Sequence, residues 1–480
     1  MRAVAYTYKQ YIDGEWVNAS NGASWDVINP ATEEVIRTVP YGNAEDARRA
    51  IQAAARAFPG WRASTAYERA AILKRAADIM RARLDDLART SVQECGKPSA
   101  QAKAEWAVVA DLFEWFAEEG KRAYGRTIPS RAGTKRLTVL KQPMGVAGVI
   151  TAWNFPAYNP GRAWAAAMAA GCTVVGRASE YTPLTAMELA SIVAEAGVPR
   201  GVLNLVNGEP DPMGQAMLDD PACRKISFTG SVRVGKLLMD GASRTVTRLG
   251  LELGGNAPVL IFPDVDLEEV AKGSVATKYR NDGQVCIAPQ RFLVHRKVND
   301  EFLERVVPRV KSLRLGDGLD PQTQVGPLIN ARQRDRVDTM VADARRQGVE
   351  VLAGGSRLER KGYFYEPTVL AQVQPSMPVY ADEIFGPVMP VVPFDELEQA
   401  LAIANDTSYG LAAYVWTRDM RTALRAYEGL EFGMIGVNDW APNATEAPFG
   451  GWKQSGIGHE CGQEGLEDYL ETKLVTIGGL

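Results

Sequence analysis

One cysteine of this chain has surroundings in which it could act as a nucleophile. Cys286 lies in the segment 283–289, GQVCIAP, between a glycine and a proline and among small or apolar residues. A cysteine attacks only as its thiolate, which forms where a nearby charge or aligned dipoles stabilise it. A lone cysteine in an apolar segment is more often an inert core residue. The hypothesis therefore depends on what the rest of the chain supplies.

Two further segments supply polar groups that such a nucleophile would need. Residues 251–256, LELGGN, offer the carboxylate of Glu252, followed by two glycines at which the backbone can pass close to a site. Residues 153–156, WNFP, offer the side-chain amide of Asn154 beside a turn fixed by proline. Taken alone, Glu252 is equally explained as a capping or ion-paired carboxylate.

Together the three segments resemble the aldehyde dehydrogenase superfamily. The similarity runs almost from end to end, from residues 11–16, YIDGEW, to residues 466–470, LEDYL. The resemblance implies that Cys286 is the nucleophile, that Glu252 is the general base and that Asn154 helps to form the oxyanion hole. Several independent motifs in the same order are far more specific than any one of them.

The resemblance also implies a reaction. An aldehyde would add to Cys286 as a thiohemiacetal, pass its hydride to NAD and leave an acid through a thioester. Water activated by Glu252, directly or through Glu460, would hydrolyse that thioester. Glu460 enters here because it matches a glutamate near the end of family members.

The composition excludes several classes of protein. A chain of 480 residues is too long for one core, so two or more domains are expected. Hydrophobic residues at 46% and charged residues at 23% are typical of a soluble globular protein. The formal net charge of -4 gives no electrostatic surface for nucleic acid, and no cluster of basic residues indicates a membrane-binding patch. The longest apolar stretch, 163–176, is shorter than the ~20 residues of a membrane span.

The cysteines and histidines argue against metals and disulfides. The five cysteines form no C-x-x-C pair and are odd in number, and the chain has only two histidines, so no metal site is expected. Scattered reduced thiols suit the cytosol. The segment Met1–Tyr6 lacks the apolar core of a signal peptide. We therefore expect a cytoplasmic protein.

Hydrophobic periodicity predicts a mixed α/β fold. Asn43 reads as the N-cap of a first helix, and further helices are predicted at about 65–90, 98–119 and 265–280. Between 146 and 250, continuous apolar strands alternate with helices, which predicts a parallel sheet covered on both faces.

The resemblance assigns these elements to an aldehyde dehydrogenase-like fold. It implies a Rossmann-like NAD-binding domain at 1–123 and 146–254 and an α/β catalytic domain at 255–465. A small β oligomerisation element at 124–145 and 466–480 completes the chain and implies a homodimer or homotetramer. Residues 473–477 are predicted to form a strand that could pair across subunits.

Transfer of a hydride requires an acceptor that no side chain can provide. A doubly wound sheet places a dinucleotide at the carboxyl ends of its strands. The G-x-G-x-x-G fingerprint is absent, and the turn that holds Gly208 and Gly214 has Pro210 where the family commonly has another glycine. Gly230 and Ser231, at a predicted helix start, are the better phosphate contact. The alternatives are a plain Gly/Pro connection and an ordinary N-cap.

The ribose contacts favour NAD. Residues 175–180, VGRASE, match the family segment that holds the adenosine ribose and contribute Arg177, Ser179 and Glu180, with Arg-Ala where the family usually has Lys-Pro. Glu180 would bind ribose hydroxyls and repel a 2′-phosphate, which favours NAD over NADP. Arg177 could offset that repulsion, or could be a simple ion-pair partner.

The residues predicted to bind the nicotinamide end of the cofactor are identified by the resemblance alone. Glu383 and Phe385 match family residues that position the nicotinamide ribose and ring, and Trp153 is predicted to bind the cofactor. Without the family, Glu383 would be an ordinary loop carboxylate.

Two arginines suggest an aldehyde with a distal carboxylate. Arg162 and Arg280 match the arginines that bind the substrate carboxylate in succinate-semialdehyde dehydrogenases, where charge-assisted hydrogen bonds would hold it. Asn443 stands where those enzymes often have serine, and Ala288 where some carry a second cysteine. Asn443 could still donate to a carboxylate. Each arginine could instead belong to a structural ion pair.

Three alternatives stay open at this point. One is an aldehyde dehydrogenase of broad specificity. Another is a relative that transfers the acyl group to coenzyme A, against which Glu252 argues because that chemistry has little need of a hydrolytic base. The last is a non-catalytic protein on the same fold, against which the intact set of Cys286, Glu252 and Asn154 argues.

Overall fold

The computed structural model describes residues 8–479. The segment Met1–Tyr6, on which the absence of a signal peptide was argued, lies outside the described residues. Within residues 8–479 the strands form four sheets, of eight, seven, three and two strands. The strands are β1 Gln10–Ile12, β2 Glu15–Val17, β3 Ser24–Ile28, β4 Val35–Pro40, β5 Arg126–Ile128, β6 Arg136–Pro143, β7 Val146–Ile150, β8 Thr173–Arg177, β9 Leu203–Val206, β10 Cys223–Thr229, β11 Arg248–Glu252, β12 Ala257–Ile261, β13 Pro289–His295, β14 Glu350–Ala353, β15 Thr368–Ala371, β16 Val388–Phe394, β17 Ala412–Trp416, β18 Met434–Val437, β19 Gly456–Ile457 and β20 Leu470–Ile477.

The helices lie between and around these strands. They are α1 Ala44–Ala63, α2 Ala66–Ala82, α3 Leu84–Cys95, α4 Ser99–Glu119, α5 Tyr158–Ala170, α6 Pro183–Glu195, α7 Pro210–Asp219, α8 Val232–Ser243, α9 Leu267–Lys278, α10 Arg296–Lys311, α11 Ala331–Arg346, α12 Pro378–Ala381, α13 Leu397–Asn405, α14 Met420–Gly429 and α15 Gly462–Glu467. Asn43 caps α1 as predicted, in a reciprocal capping box with Asp46. The helix predicted at 65–90 is two helices that meet at Arg83. No helix within residues 8–479 has the length and apolar content to cross a membrane.

The eight-stranded sheet has the doubly wound topology that the sequence predicts. Its strand order is β19-β11-β10-β7-β8-β9-β1-β2, and β11, β10, β7, β8 and β9 run parallel. Neighbouring residues of a strand face opposite sides, and in β8 Val174 joins the core beneath α5 whereas Val175 joins the core beneath α1. Both faces of the sheet are therefore covered by helices.

The order of these strands fixes where a ligand can bind. The chain runs from β7 through β8 to β9 in one direction and then returns to the other side of β7 for β10 and β11. The crevice at such a reversal, beyond the carboxyl ends of the strands, is the usual ligand site of doubly wound sheets.

The seven-stranded sheet, in the order β14-β15-β16-β13-β12-β17-β18, forms a second α/β unit. The segment 253–256 leads directly from the carboxyl end of β11 to the amino end of β12. Cys286 precedes β13 and Glu383 precedes β16. The first sheet therefore contributes side chains from carboxyl ends of strands, and the second contributes them from amino ends.

The three-stranded sheet joins distant parts of the chain. The hairpin predicted at 124–145 is formed by β5 and β6. The tail strand β20 pairs antiparallel with β6 of the same chain, with Leu474 opposite Val139, and its other edge has no partner within residues 8–479. The short strand β19, which the sequence placed in the catalytic domain, pairs with β11 of the first sheet. The domain boundaries themselves stay predictions.

Candidate active site

The segment before Cys286 has an unusual backbone. Asn281, Asp282 and Gly283 have φ of 48°, 56° and 72° in succession, in the left-handed region that side chains disfavour. A Cβ on Gly283 would lie 2.1 Å from the carbonyl oxygen of Gly386, so only glycine fits there. This geometry brings the half-buried Cys286 to a cavity between the two sheets.

Charged groups around Cys286 have opposing effects on its thiol. Burial raises the pKa of the Cys286 thiol to about 12, and the carboxylates of Glu252 and Glu383 act in the same direction. The guanidinium groups of Arg162 and Arg280 lower it. Without cofactor or substrate the thiol is therefore protonated at neutral pH, and attack requires a base.

Asn154 is held in one orientation beside the cysteine segment. Its Nδ2 donates to the carbonyl oxygen of Gln284 at 3.0 Å, and its Oδ1 accepts from Nδ2 of Asn159 at 3.2 Å. An amide nitrogen carries two hydrogens, so one donor remains for a developing oxyanion. The side-chain amide predicted from the sequence thus lies next to the backbone of Cys286's segment.

Two carboxylates lie behind the cavity. Glu252 ends β11 and is 3% exposed, and within residues 8–479 neither of its oxygens has a hydrogen-bond partner. Glu460 is 7% exposed, forms an ion pair with Arg162 and accepts a hydrogen bond from the Ser227 hydroxyl at 3.0 Å. Burial raises the pKa of both carboxyls above their ordinary values, and Arg162 opposes that effect.

The two glycines after Glu252 allow the backbone to pass between functional groups. A Cβ on Gly254 would lie 2.4 Å from Oε2 of Glu383, and one on Gly255 would lie 2.3 Å from the carbonyl oxygen of Cys286. The Gly255 N–H also donates to Oε1 of Glu383 at 3.0 Å. The close approach that the sequence suggested is therefore a contact with both the nucleophile segment and Glu383.

The three predicted substrate-binding residues line one cavity with Cys286. The cavity has a volume of about 300 Å³. Arg280 is exposed at its edge and lies over the Phe155 ring at 5.7 Å, and Asn443 is half-buried. Arg162 is 1% exposed and is already paired with Glu460. For Arg162 the structure thus shows the ion pair that the sequence left open as an alternative.

On the cofactor side, Arg177 links two other predicted residues. Its Nη2 donates to Oε2 of Glu180 at 2.8 Å and to the carbonyl oxygen of Gly208 at 2.7 Å. Ser179 accepts a hydrogen bond from the N–H of Tyr181 at 3.3 Å. The buried Arg177 therefore fixes Glu180 at the carboxyl end of β8.

The glycines predicted to cradle phosphate have structural explanations of their own. A Cβ on Gly208 would lie 2.1 Å from the carbonyl oxygen of Gly42, with which it forms a bridge. Pro210 is the first residue of α7, so Gly214 lies inside that helix and not in the turn. Ser231 is the N-cap of α8, where its hydroxyl accepts from the N–H of Val234 at 3.4 Å.

The predicted nicotinamide residues come together from distant parts of the chain. The rings of Trp153 and Phe385 meet edge to face at 5.4 Å, and Phe385 has a φ of 52°. Burial raises the pKa of Glu383 to about 7, while the Gly255 N–H and the charge of Arg336 lower it. The backbone that carries Glu383 is held by Arg336, which donates to its carbonyl oxygen at 2.6 Å.

One buried ion pair and two further buried charged residues were missed by sequence reasoning. Lys97 donates to Oε2 of Glu105 at 2.5 Å and to the carbonyl oxygen of Asn154 at 2.8 Å, so it supports the oxyanion-hole residue. The sequence pattern that could have identified Lys97 is its position between a glycine and a proline. Lys278 and Asp282 are buried four residues apart, a spacing that the sequence shows. Burial lowers the pKa of Lys278 to about 7 and raises that of Asp282.

No group of three or more histidine, cysteine or acidic side chains suited to hold a metal ion occurs in residues 8–479. All five cysteines are free thiols.

Comparisons with known proteins agree with this geometry. The sequence model of the aldehyde dehydrogenase family matches residues 16–475. Succinate-semialdehyde dehydrogenase [NADP(+)] of Escherichia coli K12 is 45% identical over 467 residues, 97% of each chain. Glutarate-semialdehyde dehydrogenase of Pseudomonas putida KT2440 is 44% identical over 475 residues, 99% of this chain and 98% of that one.

Solved structures give the same result. A succinate-semialdehyde dehydrogenase from Burkholderia pseudomallei superposes with a TM-score of 0.97 at 45% identity, covering 98% of both chains. Betaine aldehyde dehydrogenase from Staphylococcus aureus, solved in complex with NAD+, superposes with a TM-score of 0.97 at 37% identity, covering 99% of this chain and 95% of that one. On its sequence, its fold and the arrangement of its site, the chain belongs to the aldehyde dehydrogenase family.

Proposed function

We propose that this protein oxidises an aldehyde with a distal carboxylate, such as succinate semialdehyde, to the acid, with NAD as the hydride acceptor. The observation that carries the proposal is the guanidinium of Arg280. It lines the cavity that contains Cys286, and it has no carboxylate partner within residues 8–479. A substrate carboxylate would supply that partner.

A comparison of the cations around the cavity supports this assignment. Lys97 is neutralised by Glu105 at 2.5 Å, and Arg162 is neutralised by Glu460. Arg280 alone among these three faces the cavity with its charge uncompensated. Its guanidinium lies on the Phe155 ring, which restricts its orientation and leaves its N–H groups free to bind a carboxylate. The half-buried amide of Asn443 is available as a second donor.

The chemistry follows from the positions of the site residues. The Cys286 thiol gives its proton to water, and Sγ forms a bond to the aldehyde carbon as the carbonyl π electrons move to oxygen. The resulting oxyanion accepts from the Asn154 amide and the backbone N–H of Cys286, each worth a few kcal/mol. Bound NAD would supply the hydride acceptor, and loss of the hydride would convert the adduct to a thioester. Glu252 then takes a proton from the water that attacks this thioester. Its two unpartnered oxygens are free to do so.

The residues at the switch point fit a dinucleotide. The first turn of α8 has no acidic side chain, so its free N–H groups suit a phosphate. Glu180 keeps one oxygen for a ribose hydroxyl because Arg177 binds the other. We favour NAD over NADP because Glu180 keeps one carboxylate oxygen at this place, which would bind a ribose hydroxyl and repel a 2′-phosphate. Arg177 offsets only part of that repulsion, since its Nη2 is shared between Glu180 and the carbonyl oxygen of Gly208. Trp153, Phe385 and Glu383 would hold the nicotinamide end.

Relatives support the substrate class. The names of several specify succinate or glutarate semialdehyde, and both compounds carry a carboxylate at the far end from the aldehyde. We further propose that the protein works in the cytoplasm, where its five free thiols stay reduced, and that it assembles as a homodimer or homotetramer.

The test compares succinate semialdehyde with butanal, which has the same chain length but no charge. The wild-type enzyme with NAD should prefer succinate semialdehyde in kcat/KM by roughly tenfold to a hundredfold, the value of a charge-assisted hydrogen bond. Glutarate semialdehyde tests whether the larger Asn443 changes the preferred chain length. Equal kcat/KM for succinate semialdehyde and butanal would leave a general aldehyde dehydrogenase.

Two cysteine variants test the chemistry. Cys286→Ala should abolish NADH formation and keep NAD binding, measured by quenching of tryptophan fluorescence. Cys223→Ala, which removes a buried cysteine of β10 that does not line the cavity, is the matched control and should keep full turnover. Turnover by Cys286→Ala would contradict the mechanism.

A further inference from the structure

Arg162 lines the cavity, but other groups of the protein hold its guanidinium. Its Nε is paired with a carboxylate oxygen of Glu460, and its Nη2 donates to the Thr229 hydroxyl at 3.3 Å. Its guanidinium lies over the rings of Tyr158 and Phe449, at 5.0 Å and 4.6 Å. With a side chain 1% exposed, it has little freedom to turn towards a substrate.

The carboxylates around Arg162 are those proposed to remove the acyl group. Thr229, which Arg162 binds, is the direct neighbour of Glu252 in the pairing of β10 with β11. Glu460 is held on its other oxygen by Ser227. One of these buried carboxylates, Glu460, is paired with Arg162. The other, Glu252, has no hydrogen bond within residues 8–479, but it is near enough to Arg162 for the two charges to interact.

We propose that Arg162 is a positioning residue for hydrolysis of the thioester, which fixes Glu460 and supplies the counter-charge of the Glu252–Glu460 pair, and that it does not anchor the substrate carboxylate. The inference rests on the proposed function for the identity of the reaction. It separates the two arginines: Arg280 recognises the substrate, and Arg162 serves the hydrolytic base.

Arg162 supports the step in which water hydrolyses the thioester. The water oxygen forms a bond to the thioester carbon, and the carbon–sulfur bond breaks with its electron pair left on Sγ of Cys286. The water proton passes to Glu252. The base must therefore be ionised before each hydrolysis. When Glu252 and Glu460 are both ionised, Arg162 reduces the net charge of the buried site to one negative charge. Without Arg162 the two carboxylates would leave two negative charges, and one carboxylate would then keep its proton.

Other charged and titratable groups face this cluster and are present in every variant. Arg162 also faces Tyr158 and Cys461, and the carboxylates face Asp468, which is paired with Lys225 at 2.5 Å. Burial alone would lower the pKa of Arg162, but Glu460, Tyr158 and Glu252 raise it, so the guanidinium stays charged throughout the working pH range.

The experiment uses the full-length enzyme with NAD, and compares Arg162→Gln with Arg280→Gln on succinate semialdehyde and on butanal. Arg162→Gln should lower kcat for both aldehydes by a similar factor of about tenfold or more, since a general base contributes at least that much. The first-turnover burst of NADH should remain. Hydrolysis after the burst should shift to higher pH, because the base ionises less readily without its counter-charge.

Arg280→Gln should behave in the opposite way, with KM for succinate semialdehyde raised by roughly tenfold to a hundredfold and a smaller change for butanal. Arg162→Lys, which keeps the charge, should restore much of the pH profile. Arg296→Gln, which breaks an exposed ion pair with Asp395 far from the cavity, is the matched control and should match the wild type.

If Arg162→Gln does not fold, the double variant Arg162→Gln/Glu460→Gln removes both charges of the buried pair together and restores neutrality. It should lose no more kcat on either aldehyde than Glu460→Gln alone, because Arg162 acts through Glu460. A rise in KM confined to succinate semialdehyde in the Arg162 variants, with an unchanged pH profile for hydrolysis, would overturn the inference. Failure of the proposed substrate is distinguishable, because it would show as equal kcat/KM for both aldehydes in the wild type and leave the butanal data interpretable.

Discussion

At the scale of single residues, the site is a balance between burial and charge. Cys286, Glu252 and Glu383 each lose solvent, and burial raises the pKa of all three. Arg162 opposes this effect at Cys286 and Glu252. The proposed nucleophile and the proposed base are therefore both reluctant to ionise in the free enzyme, which would limit side reactions of the thiol before the substrate arrives.

The state of the Cys286 thiol leads to a pH-dependent prediction. Because burial raises the pKa of this thiol to about 12, the reactive thiolate is a small fraction at pH 7 that grows with pH. Inactivation by iodoacetamide without cofactor should accelerate about tenfold per pH unit between roughly pH 7 and pH 10. The measurement is the first-order rate of inactivation. A plateau below pH 9 would mean that the guanidinium groups outweigh burial.

A second prediction concerns the choice of cofactor. Glu180→Gln removes the charge that would face a 2′-phosphate, so the ratio of the Kd for NADP to the Kd for NAD should fall by roughly tenfold. Fluorescence titration with each cofactor measures both constants. Glu209 is an exposed carboxylate at the start of α7, so Glu209→Gln controls for the loss of one negative charge from the protein as a whole. It should leave the ratio of the two Kd values unchanged. A wild type that already binds NADP more tightly would contradict the assignment.

The residues that sequence reasoning identified are those with a local pattern. Cys286, Glu252 and Asn154 stand close to glycine or proline in short distinctive segments. In the structure Cys286 lines the cavity, Asn154 binds the backbone of Gln284 and the charge of Glu252 acts on the Cys286 thiol. The pairing of Arg162 with Glu460 has no such pattern. It depends on the packing of α5 against the segment between β19 and α15, which a single sequence does not encode locally.

At the scale of secondary-structure elements, close backbone contacts at glycine residues set the geometry of the site. Gly255→Ala would place a Cβ 2.3 Å from the carbonyl oxygen of Cys286, a backbone atom that cannot move without displacing the nucleophile. We expect a loss of about 1–3 kcal/mol in the free energy of unfolding, as for other overpacked sites. A large loss of kcat should accompany it.

A matched substitution isolates this effect. Gly60 lies within α1, and a Cβ there would meet nothing within 4 Å. Gly60→Ala should therefore keep full activity and stabilise the protein by up to about 1 kcal/mol. Thermal denaturation and steady-state rates check both variants. Normal activity in Gly255→Ala would mean that the strand-connecting segment is more adaptable than these contacts imply.

The elements themselves were predictable where one physical signal dominated. The buried strands β7, β8 and β9 are continuous apolar runs, and Asn43 and Pro183 mark helix starts. The break at Arg83 was missed because no glycine or proline stands there. Its signal is the acidic pair that opens α3. The pairing of β20 with β6 could not be predicted from periodicity, because strand pairing depends on distant segments, which periodicity does not report.

At the scale of the whole molecule, the site lies where two sheets meet end to end. The carboxyl ends of β10 and β11 supply Thr229 and Glu252, and the amino ends of β13 and β16 follow Cys286 and Glu383. The short segment 253–256 joins the two sheets and touches both of the latter groups. A change in the relative position of the sheets would therefore alter the distance between nucleophile and base.

The three-stranded sheet gives the last prediction, on assembly. β20 is an edge strand of eight residues that leaves one row of backbone groups unpaired, and Leu474 and Ile477 on it are 60% and 48% exposed. A long edge strand with exposed apolar side chains is a template for another chain. The wild type should therefore have the mass of two or four chains by light scattering after gel filtration. Leu474→Lys/Ile477→Lys should reduce that mass, because charged side chains disfavour edge pairing. Leu319→Lys, at an exposed leucine outside this sheet, is the control and should keep it. An unchanged mass in the double variant would place the subunit contact on another surface.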